Sequence, residues 1–384
     1  MIKRGLKLEK KPKDSFFLWG PRQTGKSSLL KVTYPHSKYI DLLNANVYIK
    51  YLNKPHLLRE EILANRKQII NPVVVDEIQK VPMLLDEIHW MIENLGIKFA
   101  LCGSSARKVK RGHVNLLGGR AIRYELFGFS ANELGTKFDL TKMLNNGCLP
   151  KHYLSDDPRK LLHSYITDYL KEEIAQESIV RNVPGFSNFL EIVALSDTEI
   201  INFTNIAREC AVSSLTVKEH FQILIDTLLG RFLNAYTKRP KRRIIQAPKF
   251  YFYDVGVVNI LVRRGKILPK SELFGKAFEN WIYHELSVYN SYKDKFYDLS
   301  YWRLTTGVEV DFIVNNMEYA IEAKSKEYIT DNDLKGLREL VKDYKSVKKR
   351  IVVSLSEQDR LTNDDIMILG YKSFIEKLWN DELI

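Results

Sequence analysis

Residues 16–27 read Phe-Phe-Leu-Trp-Gly-Pro-Arg-Gln-Thr-Gly-Lys-Ser. The apolar run Phe16 to Trp19 has the length and composition of a buried strand. Gly20-Pro21-Arg22-Gln23-Thr24-Gly25-Lys26-Ser27 follows at once, and Ser28-Leu29-Leu30-Lys31 reads as the start of a helix. A GxxxxGK[ST] loop between a strand and a helix suits a nucleotide phosphate chain. Its glycines let the backbone curl so that N–H groups face phosphate oxygens. Lys26 brings a compact positive charge to the β/γ-phosphates, and the Ser27 hydroxyl can ligate Mg²⁺. Gly20, Pro21, Arg22, Gln23, Thr24, Gly25, Lys26, Ser27 and Ser28 are therefore the expected ATP-binding residues.

Further strands are predicted at Lys38–Asp41, Pro72–Asp76, Phe99–Cys102 and Arg123–Leu126. Near-continuous apolar runs separated by helical stretches indicate a parallel sheet covered on both faces. Val73-Val74-Val75-Asp76-Glu77 ends in two acids. Asp76 is placed to hold the Mg²⁺ hydration shell, and Glu77 to polarise the attacking water. Cys102-Gly103-Ser104-Ser105 closes the fourth strand, where Ser104 either senses the γ-phosphate or sits in a small-residue turn. Arg107, Lys108, Lys110, Arg111, Arg120 and Arg123 follow, mostly a solvated basic face. Arg120, in Gly118-Gly119-Arg120, is the best candidate to reach a γ-phosphate, in its own subunit or a neighbour's. Arg22 is a weaker one.

The 384 residues hold 59 Lys and Arg against 47 Asp and Glu, a formal charge of +12. At roughly 150 residues per domain the length suggests two or three domains. Average apolar and charged fractions, 45% and 28%, exclude disordered and collagen-like chains. Cys102, Cys148 and Cys210 are too scattered for a zinc site or a disulfide framework, and a reducing compartment fits. No apolar run approaches the roughly 18 residues of a membrane helix, and no signal peptide is read. A cytoplasmic protein is expected, and the basic balance suits a phosphate-bearing partner.

The order GPRQTGKS, VVVDEIQ, GSS, GGR and Phe127-Gly-Phe-Ser-Ala-Asn-Glu133 resembles a prokaryotic AAA-type P-loop ATPase family. That family carries a winged-helix module and a C-terminal PD-(D/E)xK nuclease-like domain, formerly of unknown function. Phe252-Tyr253-Asp254-Val255-Gly256 matches its aromatic-Asp-hydrophobic-Gly turn. Gly147-Cys148-Leu149-Pro150 stands where the family more usually has two glycines before the Pro. The resemblance covers about residues 12–356 and implies ATP and Mg²⁺ as ligands, without supplying a cellular role.

From about 155 to 230 the pattern is helical. Asn202–Cys210 and Ser214–Leu229 are predicted helices, with Val217, Phe221, Leu224 and Leu228 on one face of the second. Strands at 232–236 and 244–253 follow, joined by Lys238-Arg239-Pro240-Lys241-Arg242-Arg243. Two helices and a basic hairpin describe a winged helix, with DNA as the expected partner. A spacer or protein-docking hairpin is the alternative.

Val308–Val314 and Ala320–Lys324 alternate apolar and polar residues around a short turn. If Val314 pairs with Tyr319, Asp311 faces Glu322, and Lys324 shares the Glu322 side. Val308, Val310, Phe312, Ile321 and Ala323 then fall on the core face. Two carboxylates and a lysine so placed resemble a PD-(D/E)xK site. Asp311, Glu322 and Glu279 would bind Mg²⁺ or Mn²⁺, Glu285 being a poorer ligand, and Lys324 would position the nucleophile. In the alternative, the acids and the lysine pair with each other.

The expected fold class is α/β. A P-loop NTPase parallel sheet (1–150) precedes a helical, winged-helix region (151–267) and an α/β restriction-endonuclease-like domain (268–384). Function is expected to be Mg²⁺-dependent ATP hydrolysis coupled to a module that acts on nucleic acid, in a chain open to homo-oligomerisation. The alternative is an ATP-driven switch or scaffold for protein assembly with an inactive nuclease-like domain.

Overall fold

The structure, a computed structural model, describes residues 2–105, 117–170, 183–238 and 242–384. The basic residues Arg107, Lys108, Lys110, Arg111, Arg239 and Lys241 lie outside them. The fold divides into two units, residues 3–129 with 223–229, and residues 130–222 with 230–384. Among the described residues, no helix is long and apolar enough to cross a membrane.

In the first unit, β1 (Ser15–Trp19), β2 (Tyr39–Asp41), β3 (Val73–Asp76), β4 (Phe99–Gly103) and β5 (Ala121–Glu125) form a parallel sheet. Its order is β2-β3-β4-β1-β5. Every residue of β1, β3 and β4 is buried, which explains their unbroken apolar runs. Helix Leu84–Leu95 lays Leu84, Leu85, Ile88 and Met91 on the sheet. It ends at Gly96, whose φ of +66° is the left-handed conformation that closes helices. This is the P-loop NTPase arrangement, and the phosphate loop leaves the sheet from the buried β1.

The second unit holds helix Phe203–Glu209, helix Ser214–Asp226 as far as Gln222, and a ribbon of β6 (Gly230–Leu233) and β7 (Lys249–Phe252). The expected hairpin is shorter than its sequence suggests. Residues between the strands lie instead against β8 (Leu299–Arg303), with Ala235 bridging to Tyr301 and Ile244 to Leu304. Tyr236 N–H donates to Tyr301 O at 2.7 Å, and Ile245 N–H to Arg303 O at 2.9 Å. The reason is main-chain satisfaction: β8 is an edge strand with a free row of N–H and C=O groups.

β9 (Glu309–Val314), β10 (Tyr319–Ala323), β11 (Lys349–Ser354), β12 (Arg360–Leu361) and β13 (Ile366–Gly370) complete a mixed sheet of order β12-β13-β11-β10-β9-β8. The long helix Glu272–Tyr292 packs against it. Val314 pairs with Tyr319 and Phe312 with Ile321. Against β8, however, β9 shifts register between Ser300 and Trp302. An extra residue there breaks strict alternation. Val310 and Ile313 accordingly share one core cluster, while Phe312 stacks on Tyr283. The expected single core face of Val310, Phe312 and Ile321 is corrected by this bulge.

The two turns singled out by resemblance dock on each other. Asp254 accepts from Cys148 N at 2.7 Å, from Leu149 N at 3.1 Å and from Val257 N at 3.1 Å. A Cβ at Gly147 would collide with that carboxylate.

Candidate functional site

β1 delivers the loop and the helix Lys26–Thr33 receives it. Gly25 has φ +93° and Gln23 +65°, left-handed turns that curl the backbone. A Cβ at Gly20 would strike Leu126 O, so only glycine fits against the start of the chain after β5. Lys26 is 5% exposed, and its Nζ donates to Gly20 O at 2.7 Å and Pro21 O at 2.8 Å. Burial holds its pKa below the usual lysine value. Thr24 Oγ1 donates to Pro21 O at 2.9 Å, while Arg22, Gln23 and Ser28 face outward.

Asp76 ends β3, buried, and Glu77 follows at φ +60°, a strained conformation for a residue with a Cβ. Tyr39 OH donates to Asp76 Oδ2 at 2.5 Å and also bonds Ser27. Burial first, and the Asp76 bond second, raise the Tyr39 pKa, so the phenol stays a donor. Asp76 Oδ1 is buried without a partner. An orphaned oxygen on a carboxylate that Tyr39 OH links to Ser27 fits Mg²⁺, for which Ser27 and Asp76 would be the ligands. Gln79 Nε2 donates to Glu77 Oε2 and, at 3.1 Å, to the buried Ser104 Oγ. Lys26, Asp76 and Glu77 are close enough to act on one another electrostatically. Arg120, by contrast, is ion-paired with Glu93 and donates to Gly118 O.

The C-terminal residues also converge, with additions. Asp311 Oδ2 accepts from Ala323 N at 2.9 Å, and Lys324 Nζ lies 2.5 Å from Glu322 Oε1. Burial, then Asp311, push Glu322 up to about 8. Glu309 joins them from β9, and Lys249 from β7. Lys249 Nζ is 2.9 Å from Glu279 Oε1, pairs with Glu309, and is 3.8 Å from Asp311 Oδ1. Tyr251 OH donates to Glu279 Oε1 at 2.6 Å. Glu285 stands apart, accepting from Ala131 N at 2.7 Å and Trp281 Nε1 at 3.0 Å. A cavity of about 420 Å³ adjoins the cluster, lined by Glu309, Glu322, Lys324, Asp333 and Lys335 among others. As placed, these carboxylates do not fit a divalent ion, because two ammonium groups already occupy them. Among the described residues, no group of three His, Cys, Asp or Glu side chains is set to hold a metal.

Residues 13–135 match the family described as AAA domain. They carry an AAA domain. Residues 137–267 match a Domain of unknown function (DUF8612), and residues 274–374 another (DUF4143). No curated protein matches. Among solved structures, that of the Aeropyrum pernix Orc1 protein in complex with DNA is 12% identical over 65% of this chain and 86% of that one. The TM-score between the two is 0.27.

In the AAA domain, three supporting residues escaped sequence reasoning. Tyr39 sits on a weak strand whose pattern gave no sign of the contact. Gln79 follows the acids by two residues, a spacing that carries no motif. Arg4 lies far upstream, yet donates to Thr24 O at 2.5 Å and Phe127 O at 2.6 Å, bracing the loop from outside.

Proposed function

We propose that this chain is an ATP hydrolase. The observation that carries the reading is the meeting of the Lys26 amine, the orphaned Asp76 oxygen and the Glu77 carboxylate at the ends of β1 and β3. The Lys26 amine, held over Gly20 O and Pro21 O, would turn to the β/γ-phosphates. Glu77 would exchange the Gln79 amide for water and take its proton as the water attacks. Mg²⁺, when bound, supplies neutralisation of the phosphate charge. Lys26→Ala is expected to abolish tight ATP binding by calorimetry. Glu77→Gln is expected to keep ATP bound and stop hydrolysis, since the amide keeps the shape and loses the base. Unchanged affinity in the first variant, or normal turnover in the second, rejects the reading.

Nucleic acid is the proposed partner of the second unit. The charge of +12 and the helix pair followed by a ribbon support a winged helix with a nuclease-like domain behind it. The opposing reading, an ATP switch or scaffold for protein assembly, is favoured by where the cations are spent. Arg242 is bound to Glu339 at 2.8 Å and Asp343 at 2.9 Å, Lys249 to Glu279, and Lys324 to Glu322. Titration with duplex DNA at several salt concentrations separates the two. A steep fall of affinity with salt supports nucleic-acid contact; no binding at low salt leaves the scaffold.

A further inference from the structure

Lys249 is 3% exposed, yet its side chain is charged and surrounded by charge. Its backbone is held from both sides, paired with Leu233 across the ribbon and bridged to Ile200. The side chain therefore has one direction in which to run. It ends among Glu279 from the helix Glu272–Tyr292 and Glu309 and Asp311 from β9. The helix and β9 are separate parts of the chain, and only the fold brings their carboxylates to the amine.

Carboxylates this close repel one another and lose their hydration on burial. They need a cation. Burial alone would lower the Lys249 pKa, but Glu279, Asp311 and Glu309 together raise it, so the amine stays charged. Glu279 is pushed up to about 7 by burial, against the pull of Lys249. A bound Mg²⁺ or Mn²⁺ would need about six oxygen ligands at short range. It would also need a site free of another positive charge. An ammonium in contact with two of the carboxylates and near the third denies both. The ion and the amine are mutually exclusive occupants.

We infer that Lys249 is the resident cation of the Glu279–Glu309–Asp311 cluster, and that the β6–β7 ribbon, by inserting it, excludes a divalent ion. The metal-binding capacity of the C-terminal sheet is thereby placed under the control of a strand outside it. Glu322 Oε2, buried without a partner on the neighbouring β10, is a ligand atom left unused by this arrangement. The cavity beside Glu309 and Glu322 gives an ion access from solvent. The inference does not depend on ATP hydrolysis, so a chain that fails to turn over ATP leaves it standing.

The test uses the full-length chain without nucleotide, titrated with MnCl₂ by calorimetry while free Mn²⁺ is counted by electron paramagnetic resonance. Wild type is expected to bind no Mn²⁺ at this cluster and to gain no thermal stability from it. Lys249→Met is expected to bind one Mn²⁺ per chain and to gain thermal stability on doing so. Adding Glu279→Gln to that variant should remove the ion. Stoichiometric binding by wild type, lost in Asp311→Asn, overturns the inference. So does a folded Lys249→Met that binds none. If Lys249→Met does not fold, Lys249→Gln, which keeps a hydrogen-bonding end, carries the same expectation, and the wild-type arm decides independently.

Discussion

Tyr39 reaches diagonally across the β2–β3 pairing to hold Asp76, its phenol 2.5 Å from Oδ2, although the ladder pairs Asp76 with Asp41. Aromatic side chains span such diagonals. The bond fixes which Asp76 oxygen is left over for a cation. Tyr39→Phe is expected to raise the Mg²⁺ concentration for half-maximal ATP hydrolysis about tenfold, the usual cost of removing an orienting partner. At saturating Mg²⁺ the rate should return to the wild-type value. An unchanged Mg²⁺ profile would assign the phenol a packing role only.

Gln79 joins Glu77 to Ser104 through one amide. Gly103 makes its room, since a Cβ there would meet Gln79 Oε1 and Trp19. Gln79→Ala is expected to lower kcat about tenfold, or about 1.4 kcal/mol of barrier, while ATP affinity stays the same. Steady-state kinetics beside calorimetric binding make the distinction. A rise in KM alone would place Gln79 in nucleotide binding instead.

Glu285 is buried, and burial pushes its pKa from 4.5 up to about 8. The folded chain therefore keeps this proton over a range where the unfolded chain has released it. Its contribution to stability is full below the unfolded value and is lost as pH rises toward the folded one. Glu285→Gln, neutral throughout, should flatten that fall. Urea midpoints for both proteins at either end of the window check it; parallel slopes would mean the carboxyl is ionised in the fold.

Arg242 grips Glu339 and Asp343, and lies 5.8 Å over the Trp302 ring. The guanidinium is partly exposed, so Arg242→Gln is expected to cost about 1 kcal/mol of stability by chemical denaturation. The salt slope of any DNA affinity should be unchanged. A slope lower by about one would return Arg242 to phosphate contact.

The phosphate loop was readable because its chemistry needs particular residues at fixed spacing, and β1, β3 and β4 because buried parallel strands are apolar almost throughout. The β9–β10 pairing followed from alternation and a short turn: Val314 does meet Tyr319. The alternation failed one strand over, where the β8–β9 bulge inserts a residue that period-two counting cannot see. Lys249 was invisible for a different reason. Its neighbours in sequence are Pro248 and Phe250, and nothing local distinguishes it from a surface lysine at the foot of a hairpin. Arg242 was read as part of a basic wing facing DNA because it sits in a basic run, while its acids lie about a hundred residues away. Contacts of that sequence distance are set by packing and leave no spacing signal.

The segment between β6 and β7 has a practical consequence through its hold on β8. Tyr301 N–H donates to Asn234 O at 3.0 Å, and Thr305 N–H to Arg243 O at 3.2 Å. A fragment begun at residue 268 would lose both partners together with the Tyr236 and Ile245 donors. Its outermost strand would then be a bare template, open to the same strand of another copy. Such fragments are expected to polymerise edge to edge and come out of solution. A C-terminal piece intended for study should start ahead of residue 230, so that it carries its own cover.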